Sequence, residues 1–292
     1  MYLKYFFGAF LLLSSVFVPL SIYFQPLDGD LTRLGYLSER SFGWNGKRLV
    51  QRVRKNPPDE APDIIVVGDS FSAGNIWQSR LTELTGFTLL TFEWNSFLEN
   101  PQCFLKIIKS KYPHAEVLIL QKVERHSIER MNSLLGEHDQ SYDSKNLTSP
   151  KIVLVEEGMT NHSRKLIGLT TDINYLVRAL LNETRGYNIT YLSEKVYISP
   201  LSRSDLFTSS RSDRLLYFMQ DVKNKESWDN LDVAKSFSSF EVFATRVDPP
   251  LVPVLLVIPD KLTVYSRYLV KQVAEAVPAP IFWRELDSRG AS

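Results

Sequence analysis

The sequence predicts an α/β domain of three layers, α/β/α, built on a mainly parallel sheet, with an apolar helix at the N-terminus and an insertion in mid-chain. Three observations predict it. Apolar runs at 63–69, 117–123 and 252–258 are too continuous for strands with one wet face and fit strands buried on both. Segments with helical character separate the first two of them, so β and α alternate, and right-handed crossovers then put helices on both faces of the sheet. Residues 5–24 carry no charge and match the ~20 residues that a bilayer crossing requires.

Residues 1–27 therefore read as a membrane anchor or signal segment. Three readings fit the run: an uncleaved anchor, which its length favours, a cleaved signal sequence, and a buried core helix. Lys4 precedes it and Arg33 is the first basic residue after it, an asymmetry that leaves the N-terminus in the cytoplasm and the rest outside. Residues 28–62 form a lead-in in which Phe42 and Trp44 are expected to cover an edge of the domain. The basic stretch 47–55, just before Pro57-Pro58, reads as a solvated helical face ended by proline.

The main domain occupies 63–292. Its first strand is 63–69, followed by a helix at 77–84, a second strand at 87–92, a helix at 101–111 and a third strand at 117–123. Phe104, Leu105, Ile107 and Ile108 supply the buried stripe of the second helix. Between 138 and 248 serine, asparagine and charged residues break the pattern, and this is the expected insertion. It holds a helix at 173–181, candidate strands at 191–198 and 151–155, and a loop at 202–212. The core resumes with a buried strand at 252–258, a helix at 268–276 and a short strand at 281–283.

Thirty-four lysines and arginines against 33 acidic residues leave a formal charge of +1, so there is no broad field to gather nucleic acid, which is not an expected partner. Cys103 is the single cysteine, which excludes an intrachain disulfide and a cysteine-rich metal site. His114, His126, His138 and His162 lack paired ligand spacing, so neither a metal nor a cofactor is expected. Asn146, Asn161, Asn182 and Asn188 each begin an Asn-x-Ser/Thr triplet, and in a segment this rich in serine and threonine chance is the better account.

The first apolar run ends at Gly68-Asp69-Ser70, and open α/β sheets gather their chemistry at the carboxyl ends of their strands. A hydroxyl there is a weak nucleophile until a base and oxyanion donors converge on it. Taken in order behind one N-terminal span, Gly68-Asp69-Ser70-Phe71-Ser72, Val123-Glu124-Arg125 and Pro259-Asp260-Lys261-x-x-x-Tyr265 resemble the SGNH/GDSL hydrolase superfamily. Within it they are similar to the extracytoplasmic acyltransferase-like branch that includes the alginate O-acetylation proteins. The resemblance covers the ordered core and not the insertion. It implies a flavodoxin-like domain held at a bacterial inner membrane with its bulk in the periplasm. That domain transfers or removes acyl groups, commonly acetyl, on cell-envelope or exported polysaccharide, with a membrane-bound acyl-donor protein as a partner.

By the same resemblance Ser70 matches the nucleophile and its backbone N–H an oxyanion donor, with Asp69 beside it lining the site. Asn95, in Glu93-Trp94-Asn95-Ser96, is the candidate amide donor, an ordinary turn residue being the alternative. Glu124 and Arg125 read either as a pair lining the site, the arginine fork suiting a carboxylate or a sugar hydroxyl, or as a structural ion pair. Lys261 and Tyr265, one helical turn apart, brace the same edge or simply pack.

The chain departs from the family in its base. Neither Asp-x-x-His nor Asp-x-His occurs anywhere in it. It is expected to be either a chain shortened relative to its relatives or a domain that is not a conventional triad enzyme, since a serine without its base keeps little activity. Among the four histidines His126 is best placed to substitute, because it follows Glu124-Arg125 at the carboxyl end of the third strand; a locally bonded surface histidine is the alternative. Three functions follow: a serine acyltransferase or esterase, a non-catalytic component that binds saccharide or partners, and an anchored scaffold.

Overall fold

The computed structural model describes residues 2–24, 30–43, 52–53, 61–135, 152, 158–159, 173–185, 195–270 and 279–290. In chain order its elements are α1 (Tyr2–Phe24), α2 (Asp30–Leu34), α3 (Glu39–Phe42), β1 (Arg52–Val53), β2 (Ile64–Gly68), α4 (Ser70–Ala73), α5 (Ile76–Thr85), β3 (Leu89–Glu93), α6 (Trp94–Leu98), α7 (Pro101–Lys111) and β4 (Val117–Val123). There follow α8 (Ser127–Ser133), β5 (Gly158–Met159), α9 (Ile173–Thr184), β6 (Val196–Pro200), β7 (Arg214–Phe218), α10 (Gln220–Glu226), α11 (Asn230–Thr245), β8 (Val252–Ile258), α12 (Lys261–Tyr265) and α13 (Ala279–Gly290). The chain divides into two compact units, one of Val50–Asn161, Asn224–Thr263 and Ala276–Ser292, the other of Met1–Leu49, His162–Lys223 and Val264–Glu275.

The first unit is built on a four-stranded parallel sheet in the order β3-β2-β4-β8. The order reverses at β2, which pairs with β3 on one side and β4 on the other; in open α/β sheets the carboxyl ends of the strands at such a reversal are where ligands bind. Because side chains alternate along a strand, Ile65, Val67, Leu90, Phe92, Leu118 and Leu120 enter one core with Phe97 of α6, Phe104 and Ile108 of α7, and Phe243 of α11. On the other face Ile64, Val66, Leu89 and Ile119 pack with Trp77 and Leu81 of α5. Helices thus cover both faces. Local signals fix their ends: the Asn100 side chain accepts from Cys103 N–H at 2.9 Å with Pro101 in the first turn of α7, and Gly86, at φ 79°, closes α5.

Several expectations are corrected. β8 is an edge strand, paired only with β4 among the described strands, and Val252 and Val254 are 57% and 42% exposed rather than buried. Residues 281–283 lie in helix α13 instead of a strand; three apolar residues carry no period of their own, and Phe282 is buried against Phe237 of α11. Helix α11 falls within the span read as insertion, yet Phe243 at its end and Val247 just after it join the core of the sheet unit. Residues 52–53 are a strand paired antiparallel with β5, not part of a helical face. Of the expected strand at 151–155 only Ile152 is described, in an isolated bridge to Phe92. The expected helix at 268–276 begins as a single 3-10 turn, Ser266–Tyr268, and residues 271–276, like Trp44 and residues 191–194, lie outside the described residues.

The second unit holds α1, α2, α3, α9 and the antiparallel pair β6–β7. Leu37, Val196, Ile198 and Leu216 form its core, with Phe42 packed alongside. Phe24, Tyr175, Leu176 and Ala179 join the end of α1 to α9. Helix α1 is long and apolar enough to cross a membrane, and among its residues only Ser21 and Phe24 are buried, so the buried-core-helix reading does not fit it. Asn182, one of the four triplet asparagines, is buried and donates to the Gly35 carbonyl at 3.1 Å, which leaves it no room for a sugar.

If α11 belongs to the sheet core, truncating its buried face costs far more than truncating its exposed one. Phe243→Ala is expected to lower stability by ~3–5 kcal/mol, whereas Val242→Ala, at a position 42% exposed, stays within about 0.5 kcal/mol. Urea denaturation of both variants in the same detergent reads the difference.

Candidate functional site

The turn after β2 is a joint between two strands. A Cβ on Gly68 would lie 2.3 Å from the Ser72 Cβ and 2.4 Å from its Oγ, so only glycine lets Ser72 tuck under the strand end. Ser72 Oγ donates to Gln121 Oε1 of β4 at 2.5 Å and accepts from Trp77 Nε1 at 3.1 Å, and Asp69 N–H reaches the same Gln121 oxygen at 3.2 Å. Asp69 works in both directions. Its Oδ1 accepts from Phe71 N–H and caps α4, while its Oδ2 accepts from Val123 N–H, each at 2.9 Å. The motif therefore buries Ser72 and leaves Ser70, two residues earlier, exposed.

Ser70 is exposed at the first position of α4, at the carboxyl edge of a parallel strand, and its hydroxyl has no hydrogen-bond partner among the described residues. As the leading residue of a helix its N–H has no intrahelical acceptor, whereas those of Phe71, Ser72 and Ala73 are all taken by Asp69. Asn95 is exposed in α6 immediately after β3, the neighbouring strand. Both groups thus stand at the carboxyl ends of adjacent strands.

His126 stands at the end of the 3-10 turn Glu124–His126 that follows β4. No hydrogen bond joins it to Ser70 among the described residues. Its Nδ1 lies 3.6 Å from Glu129 Oε2 and 3.5 Å from Asn224 Nδ2. These neighbours make opposite demands. A proton on Nδ1 directed at Glu129 leaves Nε2 free to act as a base, whereas accepting from Asn224 puts the proton on Nε2 and removes that capacity. Burial, then the nearby Arg125 and Lys122, hold its pKa below the ordinary 6.5, so the ring is neutral at pH 7.

Glu124 and Arg125 are not paired with each other. Glu124 is fully buried, accepting from Asp260 N–H at 2.9 Å, the Thr263 hydroxyl at 2.6 Å and Trp283 Nε1 at 3.2 Å, with Lys225 Nζ 3.1 Å away. Lys225 is 3.0 Å from Asp260 Oδ2, and Arg125 Nη1 is 2.7 Å from Asp260 Oδ1. Two carboxylates face two cations, so the cluster is balanced and hydrogen-bonded, the condition under which buried charge is tolerated. Glu124 is occupied by its structure. At the two ends of α12, Lys261 is exposed and Tyr265 packs its ring 4.9 Å from that of Phe207.

No family model, curated protein or solved structure matches this chain. Among the described residues no cluster of histidine, cysteine and acidic groups is arranged to hold a metal. A concavity lined by Leu105, Ile108, Tyr112, Val247 and Leu251 lies where the chain enters β4 and β8, the opposite edge of the sheet from Ser70.

Sequence reasoning overlooked Lys122. It is 3% exposed on β4, its Nζ sits 4.7 Å from the Trp94 ring centre, and no carboxylate is within ion-pair distance among the described residues. Burial first, then Arg130, lower its pKa to about 7, against the partial pull of Asp69 and Glu129. The visible signal was a lysine interrupting an apolar strand. In the unfolded chain this lysine keeps its proton up to about 10.5, so between about 7 and 10.5 the unfolded state binds more protons and stability rises with pH. The slope is expected to approach ~1.4 kcal/mol per pH unit, and Lys122→Met to flatten it, in urea titrations across that range.

Proposed function

We propose that this chain is a membrane-anchored, SGNH-like serine acyltransferase or esterase of a bacterial envelope, with a flavodoxin-like domain facing the periplasm and polysaccharide as its substrate. The observation that carries the reading is the outward, unengaged Ser70 hydroxyl, held at the reversal point of a parallel sheet by Gly68, Asp69 and Gln121. The polysaccharide acceptor, the membrane-bound acyl donor and the bacterial setting come from the motif resemblance alone. The membrane comes from α1.

In this mechanism Ser70 Oγ attacks an acyl carbonyl and passes its proton to His126 Nε2, in the tautomer that Glu129 stabilises. The oxyanion rests on the Ser70 N–H and the Asn95 amide, donors whose strength is felt most in the transition state. Collapse expels the alcohol, which takes the proton from His126. A sugar hydroxyl or water then attacks the acyl-serine and gives its proton to the ring, and the ring passes it to Ser70 Oγ as the acyl–serine bond breaks, which restores both groups. Asp69 holds the turn and takes no proton.

A second reading is favoured by one observation, the want of any hydrogen bond between Ser70 and a base among the described residues together with Asn224 at His126 Nδ1. On it the rim binds saccharide or a protein partner without turnover.

Full-length protein in detergent is expected to react at Ser70 with a fluorophosphonate and to hydrolyse an aryl acetate, and Ser70→Ala to abolish both. His126→Gln is expected to lower kcat/KM by ~10²–10⁴. Because a histidine base works only when neutral, activity falls as pH drops through its pKa, and the acid limb lies below 6.5. Absence of label and turnover, with saccharide binding that survives Ser70→Ala, selects the second reading.

A further inference from the structure

Helix α9 has apolar character on two sides. Tyr175, Leu176 and Ala179 are buried against Phe24, with Phe17 and Leu20 of α1 packed beside them. On its other side Ile173, Val177, Leu180 and Leu181 are 66%, 53%, 45% and 45% exposed. Their spacing of four, three and one residues makes a continuous stripe, far from the scatter of single apolar residues that any protein surface shows.

The position of α9 along α1 says what covers that stripe. Twenty-three helical residues extend about 35 Å, a little more than the ~30 Å hydrocarbon thickness. The residues that touch α9 are in the last two turns of α1, at 17–24, where a spanning helix leaves the hydrocarbon. Helix α9 is also tied to the turn that follows α2: Tyr175 Oη donates to the Leu37 carbonyl at 3.2 Å, Asn182 Nδ2 to the Gly35 and Tyr36 carbonyls at 3.1 and 3.2 Å, and the Tyr36 and Tyr175 ring centres are 5.4 Å apart. At 12 residues α9 is too short to cross a bilayer. Exposed Arg178 and Arg185 suit phosphate headgroups.

We infer that α9 lies in the bilayer interface beside the exit point of α1, with Ile173, Val177, Leu180 and Leu181 buried in lipid. The inference rests on the reading of α1 as an anchor. Held at two adjoining places, the second unit has a defined tilt on the membrane instead of swinging from a single tether. Phe24 and Ser21, both buried, then belong to the folded unit, which favours an uncleaved anchor over a cleaved signal.

The test uses full-length protein with Cys103→Ser, carrying Val177→Cys or Leu181→Cys labelled with an environment-sensitive nitrobenzoxadiazole dye. Each is reconstituted in phosphatidylethanolamine–phosphatidylglycerol vesicles, and Leu13→Cys in α1 serves as the anchor control. The expected result at either α9 position is a blue-shifted emission, loss of quenching by aqueous iodide and quenching by doxyl lipids, as at position 13. Iodide quenching at 177 and 181 with a lipid-quenched position 13 overturns the inference and leaves the anchor standing. A blue shift that doxyl lipids do not quench also overturns it, since protein then covers the stripe. If position 13 itself is quenched by iodide, the anchor reading fails.

Discussion

The absence of a side chain at Gly68 is the constraint on which the rim of the sheet depends. It admits Ser72 to the space beneath β2, where the Gln121 side chain gathers the Ser72 hydroxyl and the Asp69 N–H onto one oxygen. Asp69 then spans the gap to Val123 N–H, so the tips of β2 and β4 are tied by side chains where their backbone ladder ends. Ser70 faces solvent because Ser72 does not. Any larger residue at 68 collides with the buried Ser72 side chain, which must shift for it to fit.

Two kinds of buried charge flank this joint. Around Glu124, four ionic groups and three neutral donors are drawn together, and removing one member of such a set leaves the others exposed to the low-dielectric interior, a loss of ~3–5 kcal/mol. Lys122 has only an aromatic face and a weak net field to offset its burial, so its proton is what gives way. One cluster holds α12 and α13 to the end of β4; the other is a titrating group in a strand that bears the site. Burial is similar in both. Partner count separates them.

The sheet was legible because β2 and β4 are buried on both faces and are built mainly of apolar residues, and α7 was legible from the spacing of Phe104, Leu105 and Ile108, all three buried. Helix α11 was not, since Ser236, Ser238 and Ser239 dilute the Val233, Phe237, Phe240 and Phe243 stripe that packs it; in the structure Asp229 caps its start. β8 looked buried because its residues are apolar, but composition does not say which strand closes a sheet. At the site, the placement of Ser70 at a strand end was readable from Gly68-Asp69-Ser70, while the burial of Ser72 was not, being fixed by Gln121 some fifty residues away. Glu124 with Arg125 suggested a pair by adjacency; their actual partners, Lys225 and Asp260, come from distant segments.

The two serines of the turn offer a direct measurement of that joint. In a Cys103→Ser background, the rate at which a small aromatic disulfide reacts with Ser70→Cys is set by the open surface, and with Ser72→Cys by unfolding. Prompt reaction is expected for the first and protection for the second until denaturant releases it. Equal rates, or a protected thiol in the Ser70→Cys protein, would contradict that geometry.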